Sequence, residues 1–185
     1  MRLIAVTTPD FWRNGRHTEP YAIQTLLEER GFWRVHIRKP NCTAEEMKVF
    51  LAGMPLDIRR RLTLHDHFGL APQFGIGGIQ LNSRNRCRPE GWNGLTSCSC
   101  HSLQELMIAL SDTAPQVLDY ATLSPIYDSI SKPGYSSAFS LESLKGILPP
   151  YTVALGGVTM ARLTELEEAG FYGAAMLSEA WRDFI

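Results

Sequence analysis

The chain has 185 residues, of which 44% are hydrophobic and 20% are charged, a composition typical of a globular protein rather than a disordered one. A net charge of −1 argues against binding of nucleic acid through an extended basic surface. No apolar run approaches the roughly 20 residues that span a bilayer, so no membrane partner is expected, and polar residues follow too early for a signal peptide. The few, unevenly spaced cysteines predict reduced thiols in a cytoplasmic protein.

Short apolar runs alternate with helical patterns along the whole chain. Strands are predicted, in chain order, at 2–7, 35–38, 61–66, 78–81, 94–98, 117–123, 151–155 and 172–177. Helices are predicted between them, with N-caps or capping boxes at Thr18, Thr43, Ser102 and Thr159. Shorter helices are expected near 68–73 and 141–148, and the polar stretch 82–92 predicts a loop or a single turn.

Eight strands that alternate with amphipathic helices predict parallel pairing and right-handed crossovers. We therefore expect an α/β fold, a (β/α)8 TIM barrel forming a single domain over 1–185, with short loops and a last helix truncated after about two turns from Ser178. The alternative is a doubly wound open sheet, which is disfavoured because no GxGxxG follows the first strand.

In such a barrel the chemistry lies at the carboxyl ends of the strands. After the second strand, the alternation that turns Val35 and Ile37 toward the helices turns His36 and Arg38 inward. An inward arginine near the mouth of the barrel needs an anionic partner, either a ligand or a nearby acid such as Asp66.

The third strand ends in His65-Asp66-His67. A carboxylate between two imidazoles is able to hold a divalent cation; alternatively, Asp66 caps the following helix. After the fifth strand, Ser99 is a candidate ligand contact and His101 a candidate proton carrier. A zinc site at these cysteines is disfavoured, because no second cysteine pair has the required spacing.

The long loop after the sixth strand is rich in hydroxyl groups and carries one lysine, Lys132. Hydroxyls with an ammonium group suit a phosphate or a diphosphate, although a plain surface loop is the alternative. Gly156-Gly157 and Leu177-Ser178 follow the last two strands, where this fold commonly binds phosphate, or they form only tight turns. Two anion sites at one mouth indicate two phosphorylated substrates, or one with a phosphate at each end.

The order of these motifs, from Leu3 to Trp181, resembles the thiamine-phosphate synthase and thiazole tautomerase family. The segment 124–132 is similar to the synthases' Gly-Pro-aliphatic-Phe/Tyr-Pro-Thr-x-Thr-Lys, and 154–158 and 99–102 also match. The agreement at eight successive strand ends is more specific than any one motif.

The resemblance implies roles for the residues that handle diphosphate. Arg38 and Lys132 would grip the diphosphate, Ser99 would orient it as it departs, and Asp66 would bind Mg²⁺. His36 and His65 stand where synthases carry Gln and Asn at the substrate site.

The resemblance also implies a thiazole-phosphate site. Ser129 and Ser131 stand for the two threonines that hold the thiazole phosphate or lie near it. Gly157, Leu177 and Ser178 would complete the phosphate cup.

Three departures bear on the activity. Pro40 stands where synthases have a second diphosphate-binding lysine, although Lys39 is adjacent. Asn85 replaces the second magnesium carboxylate, and this loss of charge should weaken Mg²⁺ binding. The segments 36–38 and 80–81 look closer to the tautomerases.

Three functions remain open. The first, favoured because the loop with Lys132 is preserved, is a transferase that joins hydroxymethylpyrimidine diphosphate to thiazole phosphate and releases diphosphate. The second is an isomerase that aromatises a thiazole carboxylate phosphate, with His101 as proton shuttle and no metal. The third is a barrel that binds a phosphorylated ligand without catalysis. Small phosphorylated pyrimidines and thiazoles are the expected partners, and a homo-oligomer is compatible with the sequence.

Overall fold

Eight parallel strands close into a barrel in the computed structural model, which describes residues 1–12, 17–114, 116–128, 137 and 139–185. The strands pair in chain order, and the last pairs with the first, with Arg2 opposite Gly173 and Ala5 opposite Met176. The closed barrel is therefore confirmed over the open sheet. The strands are β1 (Arg2–Val6), β2 (Arg34–Ile37), β3 (Leu62–Leu64), β4 (Gly78–Leu81), β5 (Leu95–Cys100), β6 (Tyr120–Leu123), β7 (Thr152–Leu155) and β8 (Gly173–Met176).

Short helices connect most of the strands. They are α1 (Glu19–Glu28), α2 (Ala44–Ala52), α3 (Leu56–Arg59), α4 (Leu70–Phe74), α5 (Leu103–Ala109), α6 (Leu141–Leu144), α7 (Leu163–Glu168) and α8 (Ser178–Trp181), with a 3-10 turn at Met160–Arg162. Thr18, Thr43 and Ser102 accept N-cap hydrogen bonds as predicted, whereas Thr159 makes no such side-chain bond. Helix α3 was not predicted. Among the described residues no helix is long and apolar enough to cross a membrane.

The observed strand bounds match the prediction at β4 and differ from it by one to three residues at an end of each of the other strands. β6 begins at Tyr120 rather than at 117; just before it, the backbone N–H of Asp119 donates to the Thr96 carbonyl at 2.8 Å and the Asp119 carboxylate accepts the N–H of Thr96 at 2.7 Å. β5 extends to Cys100, where it stays paired with Leu123 of β6. The segment 82–94 between β4 and β5 contains no helix, as the polar composition of 82–92 indicated.

Two cores hold the barrel. The outer core lies between the strands and the helices and contains the outward residues of the strands, such as Ile37, Leu64 and Ala154. The interior has its own smaller apolar cluster, which consists of Ile4, Val6, Tyr120, Val153 and Ala175. The rest of the interior is polar, and this polar part lies directly beneath the mouth that the carboxyl ends of the strands form.

Candidate active site at the mouth of the barrel

The closed parallel barrel brings those predicted site residues that the structure describes to one end of the molecule. Because all eight strands run in the same direction, the residues that follow their carboxyl ends surround a single mouth. Arg38, Asp66, Ser99, Gly157 and Ser178 each lie at or just beyond such an end. The common rim on which the predicted site depends is therefore present.

Two histidines and a tyrosine form a hydrogen-bonded row beneath the mouth. His36 Nδ1 and His65 Nε2 lie 3.0 Å apart, and His36 Nε2 lies 2.6 Å from the hydroxyl of Tyr120. Both ring nitrogens of His36 are thus engaged inside the barrel, so a direct contact between His36 and a phosphate requires one of these bonds to break. Its role as a phosphate ligand stays a prediction.

Both histidines are uncharged at neutral pH. Burial lowers the pKa of His36 well below its usual value, and nearby His65 and Arg34 lower it further. Burial, together with the positive charges of Arg38 and Arg84, lowers the pKa of His65 to about 3. These rings can therefore position a ligand through hydrogen bonds but contribute no positive charge to the mouth.

Arg38 supplies positive charge at this mouth. Its backbone is fixed by Thr7, whose hydroxyl accepts the Arg38 N–H at 2.9 Å. The acid considered as its internal partner, Asp66, is bound by Arg84 instead, and within the described ranges no ion pair involves the Arg38 guanidinium. An arginine held at the rim without a protein partner is suited to an anionic ligand.

Lys39 does not take the place of the diphosphate-binding lysine that Pro40 replaces. Its Nζ lies 2.6 Å from Glu19 Oε1 and also donates to the carbonyls of Thr8 and Asp10, at 2.9 and 2.8 Å. Both side chains are buried, and burial lowers the pKa of Lys39 and raises that of Glu19, while each partner's charge opposes the change. The lysine fastens the β1–α1 connection to the end of β2.

Asp66 does not have the surroundings of a magnesium ligand. Arg84 grips its carboxylate with two hydrogen bonds, Nε to Oδ1 at 3.1 Å and Nη2 to Oδ2 at 3.0 Å, and Asn85 Nδ2 donates to Oδ1 at 2.9 Å. The part of the chain that the structure describes has no group of three His, Cys, Asp or Glu side chains able to hold a metal ion. A single carboxylate that is already neutralised by a guanidinium does not fit Mg²⁺, which prefers carboxylate oxygens.

The flanking histidines do not act as a pair. A cation held by Asp66 between two imidazoles was one interpretation of His65-Asp66-His67, but β3 ends at Leu64 and His67 has a positive φ of 56°. The His67 ring instead reaches the carbonyl of Cys42, 2.9 Å from Nε2. His65 and His67 therefore do not flank Asp66 as a pair of ligands.

Ser99 and His101 lie on the β5 side of the mouth. Gln80 Nε2 donates to Ser99 Oγ at 2.9 Å, which orients the serine from β4. The exposed ring of His101 lies 3.3 Å, through Nδ1, from both the carbonyl and the hydroxyl of Ser124. Both side chains also line a cavity of ≈ 590 Å³ that lies between the 82–94 loop and α5, a feature that the sequence did not reveal.

The glycine pair after β7 supports the loop that follows β6. Gly156 and Gly157 have φ values of +92° and +62°, and a Cβ on Gly157 would lie 2.6 Å from the carbonyl oxygen of Asp128 and 2.7 Å from Tyr127 Cβ. Only glycine meets both demands. Ser137 N–H donates to Asp128 Oδ1 at 2.8 Å. The predicted phosphate contacts on this loop, Ser129, Ser131 and Lys132, lie outside the described residues.

The turns after β7 and β8 lie side by side. The backbone N–H of Met160 donates to Glu179 Oε1 at 3.3 Å, and Trp181 Nε1 donates to the carbonyl of Val6 at 2.7 Å. These bonds fix the first turn of α8, which begins at Ser178, against β1 and the turn that contains Gly157. The structure thus brings Gly157, Leu177 and Ser178 together, and their contact with a phosphate stays a prediction.

The fold and the site define the chain as a (β/α)8 barrel with an unpaired arginine, Arg38, at the mouth where this fold frequently binds phosphate. The sequence model of the family described as thiamine monophosphate synthase matches residues 35–180 of this chain. The chain belongs to this family.

Solved structures agree with this assignment. The thiamine phosphate pyrophosphorylase of Bacteroides thetaiotaomicron is 35% identical, with a TM-score of 0.82, and the match covers 100% of this chain and 87% of that one. The thiamine phosphate pyrophosphorylase from Pyrococcus furiosus, at 20% identity and a TM-score of 0.72 over 96% of this chain and 85% of that one, shares the fold.

Curated relatives match over shorter segments. The thiamine-phosphate synthase of Psychrobacter sp. (strain PRwf-1) is 28% identical over 144 residues, which are 74% of this chain and 65% of that protein. The thiamine-phosphate synthase of Latilactobacillus sakei is 34% identical over 89 residues, 45% of this chain and 38% of that protein. The chain thus spans less than two thirds of the length of these relatives.

Proposed function

We propose that this chain is a transferase that joins a hydroxymethylpyrimidine diphosphate to a thiazole phosphate and releases diphosphate, giving thiamine phosphate. The observation that carries the proposal is the likeness along the whole chain, at 35% identity, to a thiamine phosphate pyrophosphorylase. The free guanidinium of Arg38 at the mouth supports it, because this reaction needs positive charge where diphosphate leaves.

The two sides of the mouth suit the two substrates. Arg38, neutral His65 and Ser99 lie on the β2–β5 side, and Lys132 belongs to the β6 loop, so we assign the diphosphate to this side. Leu155 and Leu177 border the apolar cluster on the β7–β8 side, beside Gly157 and Ser178, and this combination suits an aromatic ring that carries one phosphate.

The reaction needs alignment and charge stabilisation rather than an acid or a base. The bond between the pyrimidine methylene carbon and the diphosphate oxygen breaks, and its electron pair leaves with the diphosphate. The lone pair of the thiazole nitrogen then forms the new carbon–nitrogen bond. Arg38 and Lys132 stabilise the charge that develops on the leaving group, and Ser99 orients it.

The described residues give little support to Mg²⁺ as a cofactor of this chain. Thiamine-phosphate synthases use Mg²⁺, but in this chain Arg84 and Asn85 occupy the carboxylate of Asp66. We therefore assign no step of the reaction to a metal ion. The assignment of 1–185 to a single domain, the cytoplasmic location and the formation of a homo-oligomer stay predictions.

The test is turnover with authentic substrates. Purified protein should convert hydroxymethylpyrimidine diphosphate and thiazole phosphate to thiamine phosphate and diphosphate, measured by mass spectrometry and a diphosphate assay. Arg38→Ala should lower kcat/KM by about 100-fold, the size of effect seen when one charge-stabilising donor is removed. Lys48→Ala, a surface substitution on α2, is the matched control and should leave the rate unchanged.

Two outcomes would overturn the proposal. Absence of turnover with both substrates would reject the transferase. Conversion of a thiazole carboxylate phosphate that is abolished in His101→Ala, without formation of thiamine phosphate, would show the tautomerase instead.

A further inference from the structure

Asp66 and Arg84 form an ion pair at the mouth of the barrel, where β3 ends. The Asp66 side chain is 15% exposed and the Arg84 side chain 49%, so the carboxylate is enclosed and the guanidinium reaches solvent. Two of the five N–H groups of Arg84 bind Asp66. Three N–H donors of Arg84 therefore remain for another acceptor, while Asp66 balances its charge.

A rigid turn holds Arg84 in this position. Asn82 Nδ2 donates to the carbonyl of His65 at 2.7 Å, and its Oδ1 accepts the backbone N–H groups of Arg84 and Asn85 at 3.0 and 3.2 Å. Asn85 Nδ2 donates both to the carbonyl of His65, at 3.2 Å, and to Asp66. The start of the 82–94 loop is thus fastened to the end of β3 from several sides.

Arg84 belongs to the same electrostatic site as Arg38. Arg38 follows β2, and Arg84, in the loop after β4, binds Asp66 at the end of β3, the strand that pairs with both β2 and β4. Both cations lower the pKa of the buried His65 ring, which precedes Asp66. Two guanidinium groups near one neutral ring, only one of them paired with an acid, leave one net positive charge and several N–H donors, which together suit an anion with many phosphate oxygens.

We propose that Arg84 takes the place of a divalent cation in this chain: its guanidinium, anchored on Asp66, binds the diphosphate group directly, so that diphosphate binding requires no metal ion. The inference rests on the proposed function, because the diphosphate is that of the pyrimidine substrate and of the released product. A metal at Asp66 would have to displace a bidentate guanidinium and one amide donor.

The test measures binding of inorganic diphosphate by isothermal titration calorimetry, once in EDTA and once in excess Mg²⁺. The wild-type chain should bind in EDTA. Arg84→Ala should weaken that binding by about tenfold or more, the value expected when a charged hydrogen-bonding partner is lost. Arg88→Ala is the matched control, because this exposed arginine of the same loop bonds to Gln116 through its backbone N–H.

A second set of variants keeps the test decisive if Arg84→Ala fails to fold. Arg84→Gln retains a hydrogen-bond donor toward Asp66 but removes the charge, and it should show the same loss in EDTA. Arg84→Ala combined with Asn85→Asp should bind diphosphate only when Mg²⁺ is present, because two carboxylates then face each other without a guanidinium. Thermal melting of each variant checks its fold.

The inference is overturned if the wild-type chain binds diphosphate only with Mg²⁺, if it binds no diphosphate in either buffer, or if folded Arg84→Gln binds as wild type does in EDTA. The turnover assay reports on the proposed function separately. Turnover that stops in EDTA contradicts the role of Arg84 and supports the transferase. Diphosphate binding that needs Arg84 but no metal ion, in a chain without turnover, supports the role of Arg84 and contradicts the transferase.

Discussion

Strands β2 to β5 turn polar side chains into the barrel, whereas β7, β8 and β1 turn apolar ones into it. Between them, Tyr120 of β6 joins the apolar cluster through its ring and bonds to His36 through its hydroxyl. On the polar side, Arg34, His36, His65, Gln80 and Ser97 are buried. On the apolar side, Ile4, Val153 and Ala175 form a cluster that reaches the mouth at Leu155 and Leu177. The same fold thus carries two kinds of interior, and the two should lose stability in different ways when they are perturbed.

The polar side avoids the cost of burial by pairing its groups across neighbouring strands. Arg34 Nε donates to Thr63 Oγ1 at 2.9 Å, His36 bonds to His65, and Gln80 bonds to Ser97 and Ser99. In the described part of the chain, the buried side-chain atoms without a partner are Arg59 Nε and Thr96 Oγ1, which are not members of this network. A satisfied network of this kind is rigid, but each member depends on its partner.

The largest effect is expected outside the barrel interior, at the buried Lys39–Glu19 pair that fastens α1 and the β1–α1 connection to the end of β2. Lys39→Ala leaves the Glu19 carboxylate buried without its cation, and the free energy of unfolding should fall by about 4 kcal/mol. Lys48→Ala, which removes half of an exposed pair with Glu45, should change it by less than about 1 kcal/mol. Urea denaturation measures both, and equal losses would show that burial of the pair carries no weight.

The apolar side should respond to lost volume and not to pH. Ile4→Ala removes a side chain with 0% exposure from the interior cluster, and the free energy of unfolding should fall by roughly 3 kcal/mol through lost burial and a cavity. The loss should be the same at pH 7 and pH 5. Val49→Ala, at a position that is 70% exposed, is the control, and a loss at Ile4 no larger than at Val49 would contradict the assignment of this cluster as a core.

The polar side should weaken in acid because its histidines resist protonation. The pKa of His65 is about 3 in the folded chain and about 6.5 in an unfolded one. Between these pH values the unfolded state binds one more proton than the folded state. The contribution of neutral His65 to the free energy of unfolding is therefore fully present above pH 6.5 and falls as the pH decreases. From pH 7 to pH 5 the loss should be about 2 kcal/mol for this ring.

His65→Asn isolates this contribution from those of other groups. The variant should show a shallower decrease in the free energy of unfolding between pH 7 and pH 5, measured by urea denaturation at each pH. Ile4→Val, which leaves the titrating groups intact, should keep the wild-type slope. A slope that is unchanged in His65→Asn would mean that this ring is readily protonated in the folded chain.

The contrast between the two sides also explains what the sequence could predict. Short apolar runs identify the strands, and the alternation along β2 correctly turned His36 into the barrel, because strand periodicity is a local property. The closed order of eight strands follows from counting the units. These features gave the fold, the rim and the position of Arg38.

The pairing of charges at the rim could not be predicted in the same way. Arg84 reaches Asp66 across 18 positions, and Lys39 reaches Glu19 across 20, through loops whose course depends on tertiary contacts. The positive φ of His67 depends on the same contacts and moved one expected ligand away. The sequence identified candidate residues for the site, but the residues that they bond to could be identified only from the folded chain.

The smallest expected loss of stability comes from removing one hydroxyl group on each side of the barrel. Tyr120→Phe removes the hydroxyl that lies 2.6 Å from His36 Nε2, and the free energy of unfolding should fall by about 1 kcal/mol, because a buried ring nitrogen loses its partner. Tyr172→Phe is the matched substitution on the apolar side, where the ring packs edge-on against Tyr151 and Trp33 and no described residue bonds to the hydroxyl. It should cost less than about 0.5 kcal/mol. Equal losses in urea denaturation would mean that the row from Tyr120 through His36 to His65 does not act as a connected network.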